Sequence, residues 1–387
     1  MIDPRPIIDE IHEHLRALGA KKVVLYGYTR RDHTHHWVMA AIHRAFELIL
    51  ADTPEISLHW VDNRSRGLMR TLEDAVVFGN INADKVHWAM PLVPSAHYIL
   101  HNHAPKDLTV DPFAEYIEAG RCVFYDVFRG RPEGDYVPVE GEPCHYTSLS
   151  EANLTITWAT DLLPGEIAEN AERVKGLSSD ADRREVVFVG SLWRANADEM
   201  VELAQHTVDR GLVFTHYGRQ LLQAPWPEHA DVKVHTGSVS FEENMRLVRE
   251  GKIAPALQGL HQLKNPTEVG NYVPCRIFKN ISYGAWGVSN NPTVATLFDD
   301  ELICEADIGA MLDAALTAIT DRPQRTALLP MMAHVAAHHT YLNRLRLMLS
   351  FAHARRDSVG MRTPPAPKKA DQLRWMGKHT VSRILRR

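Results

Sequence analysis

The stretch that decides the fold runs from Asn271 to Asn291 and reads NYVPCRIFKNISYGAWGVSNN. Its pattern predicts a loop up to Pro274, a helix over Cys275–Tyr283 and a short buried strand over Gly287–Ser289. Proline suits the first turn of a helix because its missing N–H group needs no partner there. Gly284 suits the position just after the last turn, where the backbone turns left-handed.

The start of this helix is predicted to bind an anion. Its N-terminal amide groups carry partial positive charge, and Arg276 and Lys279 lie in the first turns. The anion is most simply a phosphate or a diphosphate. The same candidate site includes the neighbouring residues Asn271, Tyr272, Pro274 and Asn280.

Strand and helix patterns alternate in two successive arrays, which implies parallel sheets built from βαβ units. We therefore predict an α/β chain with two facing Rossmann-like domains and an active site in the cleft between them, beyond the carboxyl ends of the strands. The expected domains are residues 1–175 and 176–345, followed by a helix and basic tail over 346–387. Residues 159–165 and 174–184 are interpreted as the linker. The predicted strands are Lys22–Tyr28, Ile56–Val61, His97–Leu100, Cys122–Tyr125, Leu154–Trp158, Glu185–Val189, Val213–Tyr217, Val232–His235 and Ile253–Leu257.

The composition is that of an ordinary soluble globular chain of 387 residues, with 45% hydrophobic and 24% charged residues. The net charge of −5 gives no sign of nucleic-acid binding. Four widely spaced cysteines argue against a disulfide framework or a structural zinc site, which favours a reducing cytoplasm. No apolar run is long enough to span a membrane, and the N-terminus does not look like a signal peptide.

Further candidate ligand residues follow the strands of the second array. Glycine in such turns lets the backbone approach a ligand, and an adjacent arginine can neutralise a diphosphate. The polar loop after the strand Ile253–Leu257 is unusually long, which favours a functional role. These strand ends contribute the candidate donor-binding residues Gly190, Ser191, Arg194, His216, Tyr217, Gly237, Gln258 and Gly259.

Together these motifs resemble the C-terminal, nucleotide-sugar-binding domain of GT-B glycosyltransferases. The polar loop, the helix start P-x-R-x-F, the small-residue stop and the G-x-x-V strand carry the resemblance over residues 185–319. In the commonest retaining pattern, glutamate stands at the position of Lys279 and holds the donor ribose. The segment from Asn271 to Arg276 is similar to the Y-V-T-E-K segment of GT-B fucosyltransferases, and this match implies that Arg276 is the phosphate-binding cation.

The resemblance implies transfer of a sugar from a GDP- or UDP-linked donor to an acceptor hydroxyl, without metal and without a further cofactor. Arg194, Arg276 and Lys279 would stabilise the departing diphosphate. Two alternatives stay open: another sugar-nucleotide enzyme such as a non-hydrolysing epimerase, and a non-catalytic nucleotide- or sugar-binding protein on a degenerate transferase fold. The lysine at position 279 keeps the second alternative open.

The end of the first predicted strand is rich in titratable side chains. An inverting transferase needs a base for the acceptor hydroxyl, and histidine or aspartate meets that need. The candidate catalytic residues are Asp32, His36 and His103. A metal site in the segment 32–36, or at Asp180 and Asp182, is the less favoured interpretation.

The chain from Arg355 onward is basic and is interleaved with apolar residues. A basic amphipathic helix over Asp371–Arg387 is one interpretation, and it would place the protein peripherally at the inner face of the membrane, with a glycan or a lipid-linked acceptor as partner. The alternative is that this terminal region packs against the N-terminal domain with its cations in water.

Overall fold

The computed structural model describes residues 3–29, 35–61, 72–80, 90–101, 113–127, 152–177, 179, 183–192, 196–220, 223–258, 273–298, 301–360 and 362–364. Within them the chain forms two compact units. The N-terminal unit contains Pro4–Val127, residues 152–156 and the last long helix. The C-terminal unit is Thr157–Thr340. The main boundary therefore lies at residues 156–157 and not near residue 175.

The N-terminal unit is built around a six-stranded, all-parallel sheet of strand order β2-β1-β3-β4-β5-β6. Strands β1 and β3 to β5 are almost wholly buried, as expected for a parallel sheet covered on both faces. The strand order reverses its direction between β1 and β3, and ligands in such sheets bind at that point. The elements are α1 (Arg5–Ala17), β1 (Lys22–Tyr26), α2 (His35–Ile49), β2 (Ser57–Val61), β3 (Ala75–Asn80), β4 (His97–His101), α3 (Ala114–Glu118), β5 (Cys122–Asp126), β6 (Asn153–Thr155) and α11 (Tyr341–Val359).

The C-terminal unit repeats the plan around β7, β8 and β9, which pair in parallel. Residues 253–256 bridge β7 on one side and β10 on the other, through Val186–Ile253 and Ala256–Ser289. The parallel order is thus β9-β8-β7-(253–256)-β10-β11, with its reversal between β7 and residues 253–256. The elements are α4 (Pro164–Lys175), β7 (Glu185–Val189), α5 (Ala197–Asp209), β8 (Val213–Gly218), β9 (Val232–Thr236), α6 (Phe241–Glu250), α7 (Cys275–Tyr283), β10 (Val288–Ser289), α8 (Pro292–Ala295), β11 (Ile303–Cys304), α9 (Ile308–Asp321), a 3₁₀ helix (Arg325–Leu328) and α10 (Leu329–His338).

The predicted α/β class with parallel sheets in two Rossmann-like units is confirmed, and the structure adds two elements. The strand β3 lies in the middle of the first sheet, yet its sequence AVVFGN is short and follows a long stretch without pattern. The helix α4 lies mostly between the two segments interpreted as the linker, where the sequence predicts no element. Its Ile167 and Val174 are buried in the core of the C-terminal unit, and this burial is what stabilises it as a helix.

The last long helix, α11, packs in the N-terminal unit against α1, α2 and β5. Its Leu342, Leu345 and Leu349 are fully buried. A hydrogen bond of 3.1 Å joins the imidazoles of His14 on α1 and His353 on α11. No helix in the described part of the chain is long and apolar enough to cross a membrane. The basic segment beyond residue 364 lies outside the described residues.

Candidate functional site

The helix α7 begins and ends where the sequence predicts. Pro274 occupies the cap position with extended backbone, the helix covers Cys275–Tyr283, and Gly284 follows at a φ of 101°. Ile277, Phe278 and Ile281 are buried on one face, and their spacing of three to four residues is what makes this face apolar. Arg276 and Lys279 lie three residues apart on another face of the helix. The N-terminal end of α7 therefore presents its amide groups and Arg276 together.

Arg276 is held against the end of β7. Its guanidinium carbon lies 4.0 Å from the ring centroid of Phe188, which is a close cation–π contact. The same guanidinium lies over Gly190, where a Cβ atom would come within 2.1 Å of its nitrogen. Glycine is therefore required at position 190 for Arg276 to take this place. The cation stands at the carboxyl end of β7, beside the reversal of strand order where ligands bind.

The backbone turn that holds Gly190 is supported from β8. His216 donates from Nε2 to the Gly190 carbonyl oxygen at 2.9 Å, and its ring stacks at 6.1 Å on Phe188. Burial lowers the pKa of His216, and the nearby Arg276 charge lowers it further, against the hydrogen bond to Gly190. Gly218 allows β7 and β8 to approach, since a Cβ there would lie 2.0 Å from the Gly190 oxygen. His216 is fully buried and so supports the turn from beneath.

Lys279 has a partner of its own. Its Nζ atom lies 2.6 Å from Oδ2 of Asp161, whose other oxygen accepts a hydrogen bond of 2.7 Å from Tyr283. Burial opposes the charge of Lys279, but the Asp161 carboxylate outweighs it and raises the pKa of the ammonium group. Both side chains are less than one-quarter exposed. This ion pair ties α7 to the segment that precedes α4.

Two further predicted residues have side chains that face the interior. Asn280 donates to the Ala254 carbonyl at 2.8 Å. Gln258 is bound through its backbone by the side chain of Asn290, which accepts from the amide at 2.8 Å and donates to the carbonyl at 2.6 Å. Asn291 donates to the side-chain oxygen of Gln258. The buried pair Asn290 and Asn291 is not among the predicted site residues, although two asparagines directly after a buried strand are a sequence signal.

The aromatic and glycine positions on β8 and β9 also lie at the carboxyl edge of the sheet. The rings of Tyr217 and His235 stack at 4.6 Å and are nearly parallel. Gly237 adopts a φ of 123° and has open space around it, so its backbone conformation and not crowding requires glycine. Ser191 is exposed beside Gly190. The predicted residues Arg194, Gly259, Asn271 and Tyr272 lie outside the described residues.

A polar and aromatic cluster occupies the carboxyl edge of the N-terminal sheet. The His35 ring stacks on Tyr28 at 5.1 Å and lies 5.2 Å from the His101 ring, which stacks on Tyr125 at 5.1 Å. The amide of Asn80 lies 3.3 Å from Nδ1 of His101. The strand pattern predicts His101 at this edge. The contribution of Asn80 depends on β3, which the sequence pattern does not predict.

Of the three candidate catalytic residues, the structure describes His36. Its Nδ1 atom is 2.9 Å from the Tyr28 carbonyl oxygen, and its ring stacks on Trp60 at 5.2 Å. The residue is 8% exposed. Its neighbour His35 is half-buried and so has the more exposed side chain. Asp32 and His103 lie outside the described residues, as do Asp180 and Asp182.

Among the described residues, no group of three or more histidine, cysteine, aspartate or glutamate side chains is arranged to hold a metal ion. An anion at the carboxyl edge of the C-terminal sheet would instead meet Arg276 and the amide groups at the start of α7. The described part of this edge can therefore neutralise a phosphate with protein groups.

The second half of the chain matches a known protein family. Residues 194–350 match the family model described as glycosyl transferase-like. This match confirms, over those residues, the glycosyltransferase predicted from the sequence, and with it an enzyme of the transferase class. No curated protein matches the chain.

Several solved glycosyltransferase structures are similar to the chain along most of its length. AviGT4, a glycosyltransferase involved in avilamycin A biosynthesis, is 15% identical, with 85% of this chain and 98% of that chain covered and a TM-score of 0.46. A UDP-forming α,α-trehalose-phosphate synthase from Burkholderia xenovorans is 14% identical, with 90% and 85% covered and a TM-score of 0.43. Anabaena Alr3699/HepE, solved with UDP and glucose, is 8% identical, with 86% and 98% covered and a TM-score of 0.46.

Proposed function

We propose that the protein transfers a sugar from a nucleoside diphosphate sugar, GDP- or UDP-linked, to an acceptor hydroxyl. The observation that carries the proposal is the position of Arg276, held between Phe188 and Gly190 at the start of α7. This is the edge where parallel α/β sheets bind ligands. Arg276 itself lies within residues 194–350, which match the glycosyl transferase-like family model.

In this proposal Arg276 and the α7 amide groups bind the diphosphate and stabilise the negative charge that develops as the bond to the sugar breaks. Arg194 would add a second cation. Lys279 is already paired with Asp161, so its role is to hold α7 in place. Gln258, Asn280 and His216 likewise support the site, because their side chains face the interior.

The donor base and ribose are proposed to lie along the strand ends at Ser191, Tyr217 and Gly237. Gly259, Asn271 and Tyr272 are proposed to contact the sugar and the phosphates. The stacked pair of Tyr217 and His235 offers an aromatic face there. The acceptor is proposed to bind at the carboxyl edge of the N-terminal sheet, where the base for its hydroxyl is one of Asp32, His36 and His103.

A panel of nucleotide sugars tests the donor assignment. The full chain is incubated with each donor, and both release of nucleoside diphosphate and thermal stabilisation are measured. We expect one base family to stabilise the protein and to be consumed, and Arg276→Ala to remove both effects. Stabilisation without consumption in the presence of varied acceptors would point to a non-catalytic nucleotide-sugar-binding protein.

The base assignment is tested with Asp32→Asn, His36→Ala and His103→Ala. The variant that removes the base loses ~10²–10⁴-fold in turnover with donor binding unchanged. The integrity of His36→Ala must be checked by thermal unfolding, because His36 also packs on Trp60. If none of the three variants loses turnover to this extent, the acceptor proton is taken by another group, such as the donor phosphate of a retaining enzyme.

We also propose that the reaction needs no metal ion, since side-chain cations can serve the diphosphate. Turnover is then expected to persist in EDTA. Complete loss of turnover on chelation, with recovery on adding Mg²⁺ or Mn²⁺, would refute metal independence.

Membrane contact through the basic tail is a further proposal, with a lipid-linked or glycan acceptor and a cytoplasmic location at the inner face of the membrane. The alternation of cations with Trp375, Met376, Ile384 and Leu385 supports it. The test is sedimentation with anionic vesicles, comparing the full chain with a chain that ends at Thr363. Equal sedimentation of both proteins would exclude the tail as an anchor.

A further inference from the structure

A second group of guanidinium side chains lies at the other end of α7 from Arg276. Arg173 in the last turn of α4 and Arg249 in the last turn of α6 each donate to the same atom, Oδ1 of Asn170, at 3.1 Å. The α6 helix ends just before residues 253–256 enter the sheet. The group therefore lies at the amino edge of the C-terminal sheet, away from the proposed donor site.

Asn170 is a fixed support for the two arginines. Its side chain is 1% exposed, and its amide nitrogen donates to the Ser282 carbonyl at 3.2 Å. That bond directs the amide oxygen towards the guanidinium groups. Two contacts of 3.1 Å to one oxygen hold the two donor nitrogens no more than about 6 Å apart.

The positive charge at this place is only partly offset by the carboxylates of the described residues. Arg249 forms no salt bridge within 4.0 Å in the described part of the chain, whereas Arg173 forms an ion pair of 3.8 Å with the largely exposed Glu169. Glu243 and Glu250 are bound to Arg246. Burial lowers the pKa of Arg249, and the charge of Arg173 lowers it further, while the neighbouring Glu250 carboxylate acts in the opposite direction. A neutral amide oxygen accepts hydrogen bonds from both cations but cannot offset their repulsion.

A third guanidinium adds to the same surface. Arg183 donates to the carbonyl oxygens of Arg249 and Glu250, at the end of α6. A guanidinium has five N–H donors, and the side chain of Arg249 uses one of them in the contacts described. Arginine forks bind phosphate oxygens in pairs, and a dianion matches two cations that are held together.

We propose that Arg173 and Arg249, held by Asn170, form a second binding site for a phosphate group, separate from the donor site at Arg276. The site is independent of the transferase activity. The ligand is the phosphate of a small soluble anion, and a lipid phosphate shares the same chemistry.

Inorganic phosphate is the probe, titrated into the full chain by isothermal calorimetry at constant ionic strength. Arg173→Gln is the main variant, because the side chain of Arg173 is 56% exposed and its loss leaves the core intact. Lys175→Gln is the matched control: it removes the same charge from the same helix, but from a lysine that is paired with Glu172 at 2.6 Å. Arg276→Ala is included to remove phosphate binding at the donor site.

In the Arg276→Ala background we expect one remaining phosphate site, and we expect Arg173→Gln to weaken it by about tenfold, the effect of losing one charged hydrogen bond. Lys175→Gln should leave that affinity within about twofold. In the otherwise native chain, Arg173→Gln should leave nucleoside diphosphate binding unchanged. The proposal of the second site and the proposal of the donor site can thus be refuted independently of each other.

A second arm tests the source of the phosphate with vesicles of phosphatidylcholine, alone or with phosphatidic acid. Vesicle binding that depends on Arg173 supports the site and assigns it to lipid, and phosphate binding in solution that depends on Arg173 supports it and assigns it to a soluble anion. If Arg173→Gln and Lys175→Gln behave alike in both arms, or if the Arg276→Ala protein binds no phosphate in either form, the proposal is wrong.

Discussion

Replacement of Gly190 by alanine separates diphosphate binding from folding. A Cβ atom at this position would lie 2.1 Å from a guanidinium nitrogen of Arg276 and 3.2 Å from its central carbon. The guanidinium must withdraw by ~1 Å or more before the contact is normal. It is the far end of a flexible side chain, so it can do so without moving the backbone.

The main expected effect is a lower affinity for nucleoside diphosphate. A charged hydrogen bond contributes ~1.5–3 kcal/mol, so the dissociation constant for nucleoside diphosphate should rise by ~10–150-fold. The φ of 155° at Gly190 adds about 1–3 kcal/mol of backbone strain, and the free energy of unfolding should fall by about that amount. Calorimetric titration and urea unfolding of the same samples measure both quantities.

Two other glycines provide the comparison. Gly218→Ala places a Cβ 2.0 Å from the Gly190 carbonyl oxygen, which is backbone and cannot withdraw, so we expect roughly 3 kcal/mol of destabilisation. Gly211 has a φ of 67° and open space around it. Gly211→Ala should therefore add backbone strain without a steric clash, and it should leave nucleoside diphosphate binding unchanged. If Gly190→Ala binds nucleoside diphosphate as tightly as the native chain, Arg276 does not bind the phosphates from this position.

Two further predictions concern stability. Asp161→Asn leaves the ammonium of Lys279 without its partner in a site that is mostly buried, so the free energy of unfolding should fall by ~2–4 kcal/mol. The double variant with Lys279→Met should recover part of this loss. Urea unfolding measures both, and equal stability of the native and Asp161→Asn chains would contradict the structural role of the pair. For His97, burial and the nearby Arg121 and Arg356 charges lower the pKa to about 3 in the folded chain, whereas the unfolded value is 6.5. Between these pH values the unfolded chain therefore binds more protons than the folded chain. The contribution of neutral His97 to the free energy of unfolding is complete above pH 6.5, and it declines by up to ~1.4 kcal/mol per pH unit as the pH falls towards 3. His97→Gln should show a smaller decline between pH 6.5 and 4.5 than the native chain, and identical slopes in urea unfolding would count against this assignment.

Local signals in the sequence are sufficient for several elements. The start and the stop of helix α7 are signalled by Pro274 and Gly284, and both positions are confirmed. Ser240 accepts a hydrogen bond of 3.1 Å from the Glu243 amide at the start of α6, and a serine three residues before a glutamate is a local capping signal. Pro330 lies in the first turn of α10, the part of a helix in which proline is tolerated. Such signals depend on neighbours within about one helical turn, so no tertiary information is needed to find them.

The tertiary structure decided which polar side chains are available to a ligand. Lys279 and Asp161 are more than one hundred residues apart in the chain, and no spacing rule joins them. Asn280, Gln258 and His216 have the residue types of ligand contacts, yet packing directs each of them to a backbone group or a buried neighbour.

The same holds for the two clusters that the sequence does not reveal. His35 and His101 come together because β1, β3 and β4 are adjacent in the sheet, and strand order is not encoded by local pattern. Arg173 and Arg249 meet because α4 and α6 both pack against α7. The sequence by itself determined most of the elements, the class of fold and the cationic start of α7, since each rests on local preference and periodicity. Only the tertiary structure decided which charges are paired, because pairing depends on distances between residues far apart in the chain.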